Sequence, residues 1–577
     1  MSSPISLPYH RCDRTRETQI ILRDPQEWSV CDACYCKGKA FLGDALKERA
    51  DLAGLLAEKT GIGLADKMDS LNGFFSMILD LDDATFLAVD RVRSIPLFYS
   101  ITDNKILVSD DARLILNEIG GGNASRLAAS EFLCAGYVTG NETLIDAIKQ
   151  VCPGEVVRVE KSYGQTDAHR LRYFVHRPSN GPDAGDERIA SELLDGLNVA
   201  VVSIFSRLKE VSRGRTIVVP LSGGYDSRLV VTALRGLDCD NVIAFSYGRD
   251  GNKESEISRR VTRELGYEWF FVPYSNEKWE KWGASSQFKS YLDSSHNLCS
   301  LPHVQDWPAI WELKEQGIID GDSVLVPGTG GDFISGSNFP KPLLDKKTGI
   351  DDRDILGHIV NRRYGLWGAD RLLPEAKADI ERKVSASLRI GGAYSLPAAC
   401  AIYESWEWSE RQSKFLVNAV RNYDFWGLDW WLPYWDKQFI GFSSSVPFEL
   451  KRDRKLYKNY INNRFSELTG KRIKTTHERR GLIHTIYSIQ TKLPKNPITT
   501  LSDIVIGTYD LARQYDKHPL AWYGLVGERE FRSKYTRREN INSFLSLKLL
   551  SSIEPDIKMT SFLKIDAAPR KTDNLSN

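Results

Sequence analysis

The sequence predicts a multi-domain α/β protein, and three apolar stretches in the middle of the chain carry that prediction. Residues 218–221 form an apolar strand that runs into a turn of small residues and an apolar helix start. Residues 241–248 form a second strand, and apolar side chains recur at three- and four-residue spacing in the helix predicted at 254–265. Residues 323–326 form a third strand before another glycine-rich turn. Strands that alternate with helices in this way are typical of a parallel sheet with helices on its faces.

The turn after the first strand has the composition of a phosphate-binding turn. It reads Ser222-Gly223-Gly224-Tyr225-Asp226-Ser227. Small residues let backbone N–H groups close around an anion, and the following helix adds partial positive charge at its first turn. Mg²⁺ prefers carboxylate and phosphate oxygens, so Asp226 is a candidate ligand. The turn lacks the Gly-Lys-Ser/Thr ending of a Walker loop, and a plain strand-to-helix turn is the alternative interpretation.

A second glycine-rich turn follows the third strand and also presents one carboxylate. It reads Pro327-Gly328-Thr329-Gly330-Gly331-Asp332. Because the carboxyl ends of parallel strands meet at one edge of a sheet, we expect Asp226 and Asp332 to converge on one magnesium-pyrophosphate group. The residues therefore predict a site for Mg²⁺ and pyrophosphate.

These motifs resemble those of the asparagine synthetase family, whose synthetase domain is a PP-loop ATP pyrophosphatase. The first loop of that family is Ser-Gly-Gly-x-Asp-Ser and its second resembles Ser-Gly-Glu-Gly-x-Asp-Glu, so Asp226 and Asp332 match its two magnesium-binding aspartates. Residues 427–436 are similar to the family's Gly-Leu-Glu-x-Arg-x-Pro-Phe-Leu-Asp segment. Lys455 falls where the family places a lysine on the phosphates. The resemblance covers roughly half of the chain in the right order.

The resemblance implies a set of site residues. The ATP- and pyrophosphate-binding residues are Leu221, Ser222, Gly223, Gly224, Asp226, Ser227, Ser246, Gly328 and Gly330. The substrate-pocket residues are Asn297, His303 and Gln305. The catalytic residues are Lys455, Asp429 and Thr329.

Several positions depart from the family's pattern. Thr329 stands where asparagine synthetase has a glutamate and is a poor base at neutral pH, so Asp429, at the position of the partnering acid, is predicted to act as base alone. Phe333 replaces a carboxylate and Trp431 replaces an arginine. The pocket is therefore predicted to be remodelled for a substrate other than aspartate.

The N-terminal third resembles the family's glutamine-hydrolysing domain, a class II amidotransferase with an Ntn-hydrolase-like α+β sandwich. Residues 71–80 and 87–99 are similar to its paired strands, and Asp90 matches a carboxylate that binds the glutamine amine. The family's catalytic cysteine after the initiator methionine is missing, because Ser2 stands there and the first cysteine is Cys12. We predict a retained scaffold without glutaminase activity, with Ser2 as an N-terminal nucleophile being the alternative.

The predicted organisation has four parts. Residues 1–165 are the degenerate amidotransferase-like domain, and the polar, proline- and glycine-containing residues 166–187 are a linker. Residues 188–470 are the ATP-pyrophosphatase domain. Residues 471–577 are a helical extension that ends in a disordered tail.

Composition excludes several classes of protein. The 577 residues carry a net charge of +1 with no basic stripe, which argues against a nucleic-acid partner. No apolar run long enough to span a membrane is evident, and the polar first thirty residues predict no signal peptide. The nine scattered cysteines favour a reducing, cytoplasmic location. The cluster Cys31-x-x-Cys34-x-Cys36 lacks a fourth zinc ligand and is interpreted as part of a strand.

The sequence thus predicts an amide ligase that adenylates a substrate carboxylate for attack by ammonia or an amine, which free ammonia, a separate protein or the substrate supplies. A sugar acid in surface polysaccharide assembly is the preferred substrate, since similar divergent members are associated with such pathways. The alternatives are asparagine synthetase proper, a β-lactam or peptide cyclase, and a nucleotide-binding scaffold without activity.

Overall fold

A computed structural model describes residues 15–58, 63–162, 168–178, 187–346, 348–388, 391–472, 514–535, 539–555 and 558–564. Contacts divide the chain into two compact units. The N-terminal unit comprises residues 1–125 and 141–175, and the second unit comprises residues 126–140 and 176–577. The predictions for Ser2, Cys12 and the tail from residue 567 lie outside the described residues.

The N-terminal unit contains two sheets. Its strands are β1 (Glu17–Ile21), β2 (Ser29–Cys31), β3 (Cys34–Leu42), β4 (Ala45–Glu48), β5 (Leu71–Asp80), β6 (Ala84–Val89), β7 (Phe98–Ile101), β8 (Lys105–Ser109), β9 (Lys149–Gln150), β10 (Glu155–Glu160) and β11 (Ala168–Arg172). Its helices are α1 (Arg49–Ala57), α2 (Leu64–Ser70) and α3 (Ala112–Glu118). One sheet has the order β11-β10-β6-β5-β3-β2, with β4 paired to β3, and the other has the order β1-β8-β7-β9.

The alternation of side chains along β5 explains the layering of this unit. Ile78 packs in a core with Leu97 and Val108, which come from the other sheet or its flank, so the two sheets face each other. Phe75 and Met77 point to the opposite face, where they pack against α1. The result is an α+β sandwich.

Strand β11 lies inside the segment that the sequence analysis assigned to the linker at 166–187. It pairs antiparallel with β10, with Val156 opposite Leu171. Leu171 is 58% exposed. An exposed edge strand needs no apolar face, so its polar composition was mistaken for that of a linker.

The second unit is a mixed α/β unit. Its strands are β12 (Ile217–Pro220), β13 (Val242–Gly248), β14 (Glu268–Pro273), β15 (Val324–Leu325), β16 (Ile350–Asp351), β17 (Ala393–Tyr394) and β18 (Asp429–Trp430). Its helices are α4 (Arg126–Ala135), α5 (Glu187–Ser212), α6 (Asp226–Gly236), α7 (Lys253–Leu265), α8 (Asn276–Ala284), α9 (Ser286–Ser295), α10 (Trp307–Glu315), α11 (Gly331–Ile334), α12 (Lys341–Asp345), α13 (Asp352–Arg363), α14 (Pro374–Leu388), α15 (Leu396–Glu407), a π-helix (Trp408–Leu416), α16 (Arg421–Phe425), α17 (Lys437–Ser445), α18 (Phe448–Lys451), α19 (Lys455–Thr469), Glu528–Lys534 and Ile541–Ile553.

The main sheet of this unit has five strands in the order β14-β13-β12-β15-β18, and all neighbouring pairs are parallel. The chain adds strands on one side of β12 first and then returns to add β15 on the other side. The turns after β12 and β15 therefore leave the same edge of the sheet as neighbours, which is the position where ligands bind in open α/β sheets. In the described part of the predicted extension at 471–577, helices run at Glu528–Lys534 and Ile541–Ile553.

One helix tests the expectation that no membrane span is present. Residues Arg188–Ser212 are long and apolar enough to cross a membrane by length and composition, which is weak evidence because a core helix passes the same test. Its buried residues recur every three to four positions, as at Val201, Ile204 and Leu208. Buried Arg207 forms an ion pair with Asp436 at the start of α17 (2.7 Å). The helix is thus packed along one face.

Candidate functional site

The turn after β12 is held in shape by its own serines. The backbone N–H of Ser222 donates to Ser227 Oγ (3.0 Å), and the N–H of Gly224 donates to Ser222 Oγ (3.2 Å). Helix α6 begins directly afterwards at Asp226 and runs for 11 residues. The turn therefore sits at a helix N-terminus in a fixed conformation, which suits an anion.

The turn after β15 packs directly onto the first turn, and its glycines explain how. A Cβ atom on Gly328 would lie 2.8 Å from the backbone nitrogen of Ser227, and one on Gly331 would lie 2.7 Å from Asp226 Oδ1. Neither contact is tolerable, so only glycine allows this approach. The structure thus brings together two turns that are about a hundred residues apart.

Asp226 is the residue of these two turns whose carboxyl group has a raised pKa. Burial raises the pKa of its carboxyl to about 6, Arg454 opposes that shift, and the neighbouring Asp332 adds to it. Its side chain keeps 22% exposure, so the carboxylate remains open to a ligand. A cation bound beside Asp226 would offset the repulsion that Asp332 exerts on its carboxylate.

The cation beside Asp226 is Arg454 and not Lys455. Arg454 Nη2 forms an ion pair with Asp226 Oδ1, and its guanidinium lies 4.8 Å from the ring centre of Tyr457. Asp453 and Arg454 both have positive φ, at 58° and 61°. Lys455 is the first residue of α19 and is exposed. A role for Arg454 could not be predicted from the sequence, because a left-handed backbone at non-glycine residues has no clear sequence pattern.

Residues after β18 brace both turns. Tyr434 Oη donates to the backbone carbonyl of Asp226 (2.6 Å), and Tyr457 Oη donates to Tyr434 Oη (3.0 Å). Trp435 Nε1 would lie 2.7 Å from a Cβ atom on Gly330, which has φ +99°. Tyr434 and Trp435, which lie in the segment that resembles the family's Pro-Phe-Leu-Asp, therefore pack against the two turns.

Asp429 is not brought to the turns. It lies opposite Val324 in β15, which lies opposite Ile217, the first residue of β12. Four strand residues separate that level from Leu221, which is about 13 Å. At its end of the sheet Asp429 forms an ion pair with Arg215 (2.9 Å). Of the three predicted catalytic residues, only Thr329 lies within the turns.

A cavity of about 910 Å³ opens beside the first turn. Its lining includes Leu221, Ser222 and Ser246, and the Ser246 hydroxyl donates to the carbonyl of Leu221 (2.7 Å). Gln305, which the resemblance implies as a substrate-pocket residue, also lines it.

Asn297 and His303 do not line this cavity. Asn297 is buried, with a left-handed backbone at φ 45°. His303 Nε2–H donates to the carbonyl of Phe415 (2.9 Å), and burial lowers the pKa of His303 to about 4. Both residues are therefore placed inside the protein and away from the first turn's opening.

The donor set around Asp226 and Asp332 fits Mg²⁺ only in part. No cluster of three or more His, Cys, Asp or Glu side chains able to hold a metal ion occurs within the described ranges. Two carboxylates would suit Mg²⁺ if phosphate oxygens and water completed its six positions. The site fits a metal that arrives with a nucleotide better than one that resides in the protein.

In the N-terminal unit, Asp90 occupies a different setting. It is 1% exposed and its carboxylate accepts from the backbone N–H groups of Phe75 (3.2 Å), Val92 (2.8 Å) and Ser94 (3.1 Å) and from the Ser94 hydroxyl. Burial raises its pKa to about 6 against these hydrogen bonds. A carboxylate has about four acceptor positions, and here donors of Phe75, Val92 and Ser94 occupy them.

The comparisons with known proteins bear on the N-terminal unit. No curated protein matches the sequence. Two solved structures each share 11% identity and a TM-score of 0.17 with this chain, too low to support an argument about the fold. One is glutamine phosphoribosylpyrophosphate amidotransferase from B. subtilis complexed with ADP and GMP, matched over 54% of this chain and 60% of its own.

The other is an allosteric regulatory enzyme of purine biosynthesis, matched over 52% of this chain and 56% of its own. The chain thus spans less than two thirds of either structure. The family model of the glutamine amidotransferase domain matches residues 39–171, which include β5, β6 and Asp90. The chain therefore contains a glutamine amidotransferase-type domain.

Proposed function

We propose that the second unit is an ATP-dependent amide-forming ligase of the asparagine synthetase type. The observation that carries this proposal is the contact between two glycine-rich turns at the carboxyl edge of a parallel sheet, with Asp226 and Asp332 side by side. Backbone N–H groups, a helix N-terminus and two carboxylates in one place suit a magnesium-bound pyrophosphate. The adjoining cavity offers room for the rest of the nucleotide.

In the proposed reaction, a substrate carboxylate oxygen attacks the α-phosphorus of ATP and pyrophosphate leaves with the electrons of the broken P–O bond. The N–H groups of the turn at 222–227 hold the leaving pyrophosphate. Mg²⁺, when bound, would neutralise phosphate charge between Asp226 and Asp332. An amine nitrogen then attacks the acyl carbon, a C–N bond forms, AMP leaves with the electrons of the broken C–O bond, and the nitrogen loses a proton to water.

In the proposed reaction Arg454 binds the phosphates, a role that the resemblance implied for Lys455. It already faces Asp226, and its fork of donors suits phosphate oxygens. If Asp226 holds Mg²⁺, the guanidinium of Arg454 would be available to the phosphate oxygens. Asp429 has no role in this reaction, because about 13 Å along the sheet separates it from the level of Leu221.

We propose further that the N-terminal unit no longer hydrolyses glutamine. The support is Asp90, whose acceptor positions are filled by Phe75, Val92 and Ser94, so none remains for a glutamine amine. Nitrogen would come from free ammonia, a separate protein or an amine on the substrate.

The proposed substrate is a sugar acid. Phe333 is fully buried against Trp435, with ring centres 5.5 Å apart, and Trp431 is buried as well. Both positions carry charge in the family pattern, so a substrate with an aspartate-like second charge loses its partners here. The cytoplasm is the proposed location, since it supplies ATP and the nine scattered cysteines fit a reducing compartment.

The test is pyrophosphate release from MgATP, screened against aspartate, uronic acids and nucleotide-linked uronic acids, each with ammonia or glutamine. We expect release that requires one acid and proceeds with ammonia but not with glutamine. Asp226→Asn should lower the rate by at least about 100-fold, because it removes charge at the metal and phosphate site. Exposed Asp293 on α9 provides the control Asp293→Asn, which should leave the rate unchanged.

Each other outcome points to a named alternative. Release with aspartate would indicate an ammonia-dependent asparagine synthetase, and release without an added amine would indicate a cyclase. Nucleotide binding without release for any acid would favour the scaffold. Activity with glutamine would contradict the loss of glutaminase function.

A further inference from the structure

One wall of the cavity comes from a distant part of the chain. Residues 516–520 and Trp522 line the cavity together with Leu221 and Ser222. Arg249 Nε donates to the carbonyl of His518 (3.1 Å), and these two residues are 269 positions apart. The resemblance to asparagine synthetase assigned no role to this segment.

The segment is firmly docked on the carboxyl edge of the sheet. The backbone N–H of Arg249 donates to the carbonyl of Pro519 (2.7 Å), and Trp279 Nε1 donates to the carbonyl of Leu520 (2.7 Å). A Cβ on Gly248 would lie 2.7 Å from the Pro519 oxygen, and φ is +123° there, so glycine is required at this position. Each of these contacts ends on a backbone carbonyl, and the side chain of Trp522 lines the cavity.

The cavity side of this wall is an aromatic pair. The rings of His518 and Trp522 are stacked, with centres 4.7 Å apart and planes at 19°. Burial lowers the pKa of His518 to about 4, so its ring is neutral at pH 7 and stacks as an uncharged aromatic ring. The Trp522 indole N–H is buried and has no hydrogen-bond partner among the described residues.

The position of this pair follows from what the first turn binds. A pyrophosphate held at Ser222 leaves the attached nucleoside only the space that opens from the turn, and that space is this cavity. Its volume of about 910 Å³ suits a nucleotide-sized ligand. A base that extends away from the turn meets the aromatic pair, and stacking is the usual way in which aromatic side chains hold a base.

We propose that residues 516–522 form the outer wall of the nucleoside pocket and that Trp522, backed by His518, stacks on the base of the bound nucleotide. The inference rests on the proposed function and names the group that this part of the site recognises. Trp522 is thus a binding residue for the nucleoside and has no contact with the phosphates.

The test compares ATP with inorganic pyrophosphate, which has no base, by calorimetric titration of the full chain. Trp522→Leu should weaken ATP binding about tenfold or more and leave pyrophosphate binding unchanged. Trp522→Phe should restore most of the ATP affinity because it keeps an aromatic face. Trp311→Leu is the matched control, since Trp311 lines a separate groove with Trp282 and Gln287.

His518→Leu gives a second variant in case Trp522→Leu does not fold, and it should weaken ATP binding in the same direction. Unchanged ATP affinity in both variants would overturn the proposal. An equal loss of ATP and pyrophosphate binding would also overturn it, because the effect would then pass through the turn. If the wild-type chain binds neither ligand, the proposed function fails first and this inference falls with it.

Discussion

Burial raises the pKa of Asp90 in the N-terminal unit and of Asp226 in the second unit to about 6, but the groups around the two carboxylates differ. Asp90 is 1% exposed, and backbone and hydroxyl donors of its own loop surround it. Asp226 keeps 22% of its side chain exposed and faces a second carboxylate and one cation. A shifted pKa therefore identifies a buried carboxylate, and the use of its oxygens decides whether it is structural or functional.

The most direct test of this difference is to remove the cation beside Asp226. Arg454→Gln should lower pyrophosphate release by about 100-fold, the usual effect of losing one charge-stabilising donor. Lys455→Gln should stay close to wild type, because Lys455 is exposed at the start of α19. Steady-state release assays on both variants give the answer. The opposite ranking would restore Lys455 as the phosphate-binding residue and remove Arg454 from the scheme.

The second prediction concerns Asp90. Asp90→Asn places an amide NH₂ among donors that have lost an acceptor, so the free energy of unfolding of the N-terminal unit should fall by about 2 kcal/mol. Pyrophosphate release with ammonia should not change. Urea denaturation monitors the first effect, and Asp83→Asn, at a 70% exposed side chain, serves as the control. A loss of activity at unchanged stability would show that Asp90 has a catalytic task.

A third buried group, His176, has a pKa that is shifted in the opposite direction. Its ring lies 5.3 Å from Phe333 behind the second turn, and neither nitrogen has a hydrogen-bond partner among the described residues. Burial, with Lys451 nearby, lowers its pKa to about 3. This folded-state pKa lies below the ordinary value of 6.5. The free energy of unfolding is therefore unaffected by His176 above pH 6.5, and it decreases as the pH falls below that value.

His176→Phe should therefore be at least as stable as wild type at pH 7, and its advantage should grow by about 2 kcal/mol at pH 5. Urea unfolding of the second unit at both pH values measures the difference. His169→Phe, at an exposed position of β11, should show no such change. An advantage that is the same at both pH values would mean that His176 gains a partner on protonation.

The sequence predicted the elements that local pattern determines. The apolar strands at β12, β13 and β15 and the glycines between them follow from composition, and strand order then places the two turns together. It failed for Asp429, because similarity to a motif gives no information on how far along a strand the residue lies. The register opposite Val324 sets that distance, and register depends on the whole sheet.

Two features could not be read from the chain at all. Arg454 reaches Asp226 through two consecutive left-handed residues, a conformation that no residue type there encodes. The wall at 516–522 arises from docking onto Gly248 and Arg249, far away in the sequence. Long-range contacts of this kind depend on tertiary packing, which propensity and periodicity do not report.

The docking of Pro519 on Arg249 also sets an order of events during synthesis. The strands of the main sheet and both turns end by Trp430, so they can form on the ribosome before residues 516–522 have been made. At ordinary elongation rates this interval of roughly 90 residues corresponds to roughly 5–20 s. During this time a nascent chain would expose a nucleotide pocket without its outer side, so the complete pocket forms only after residues 516–522 have been translated.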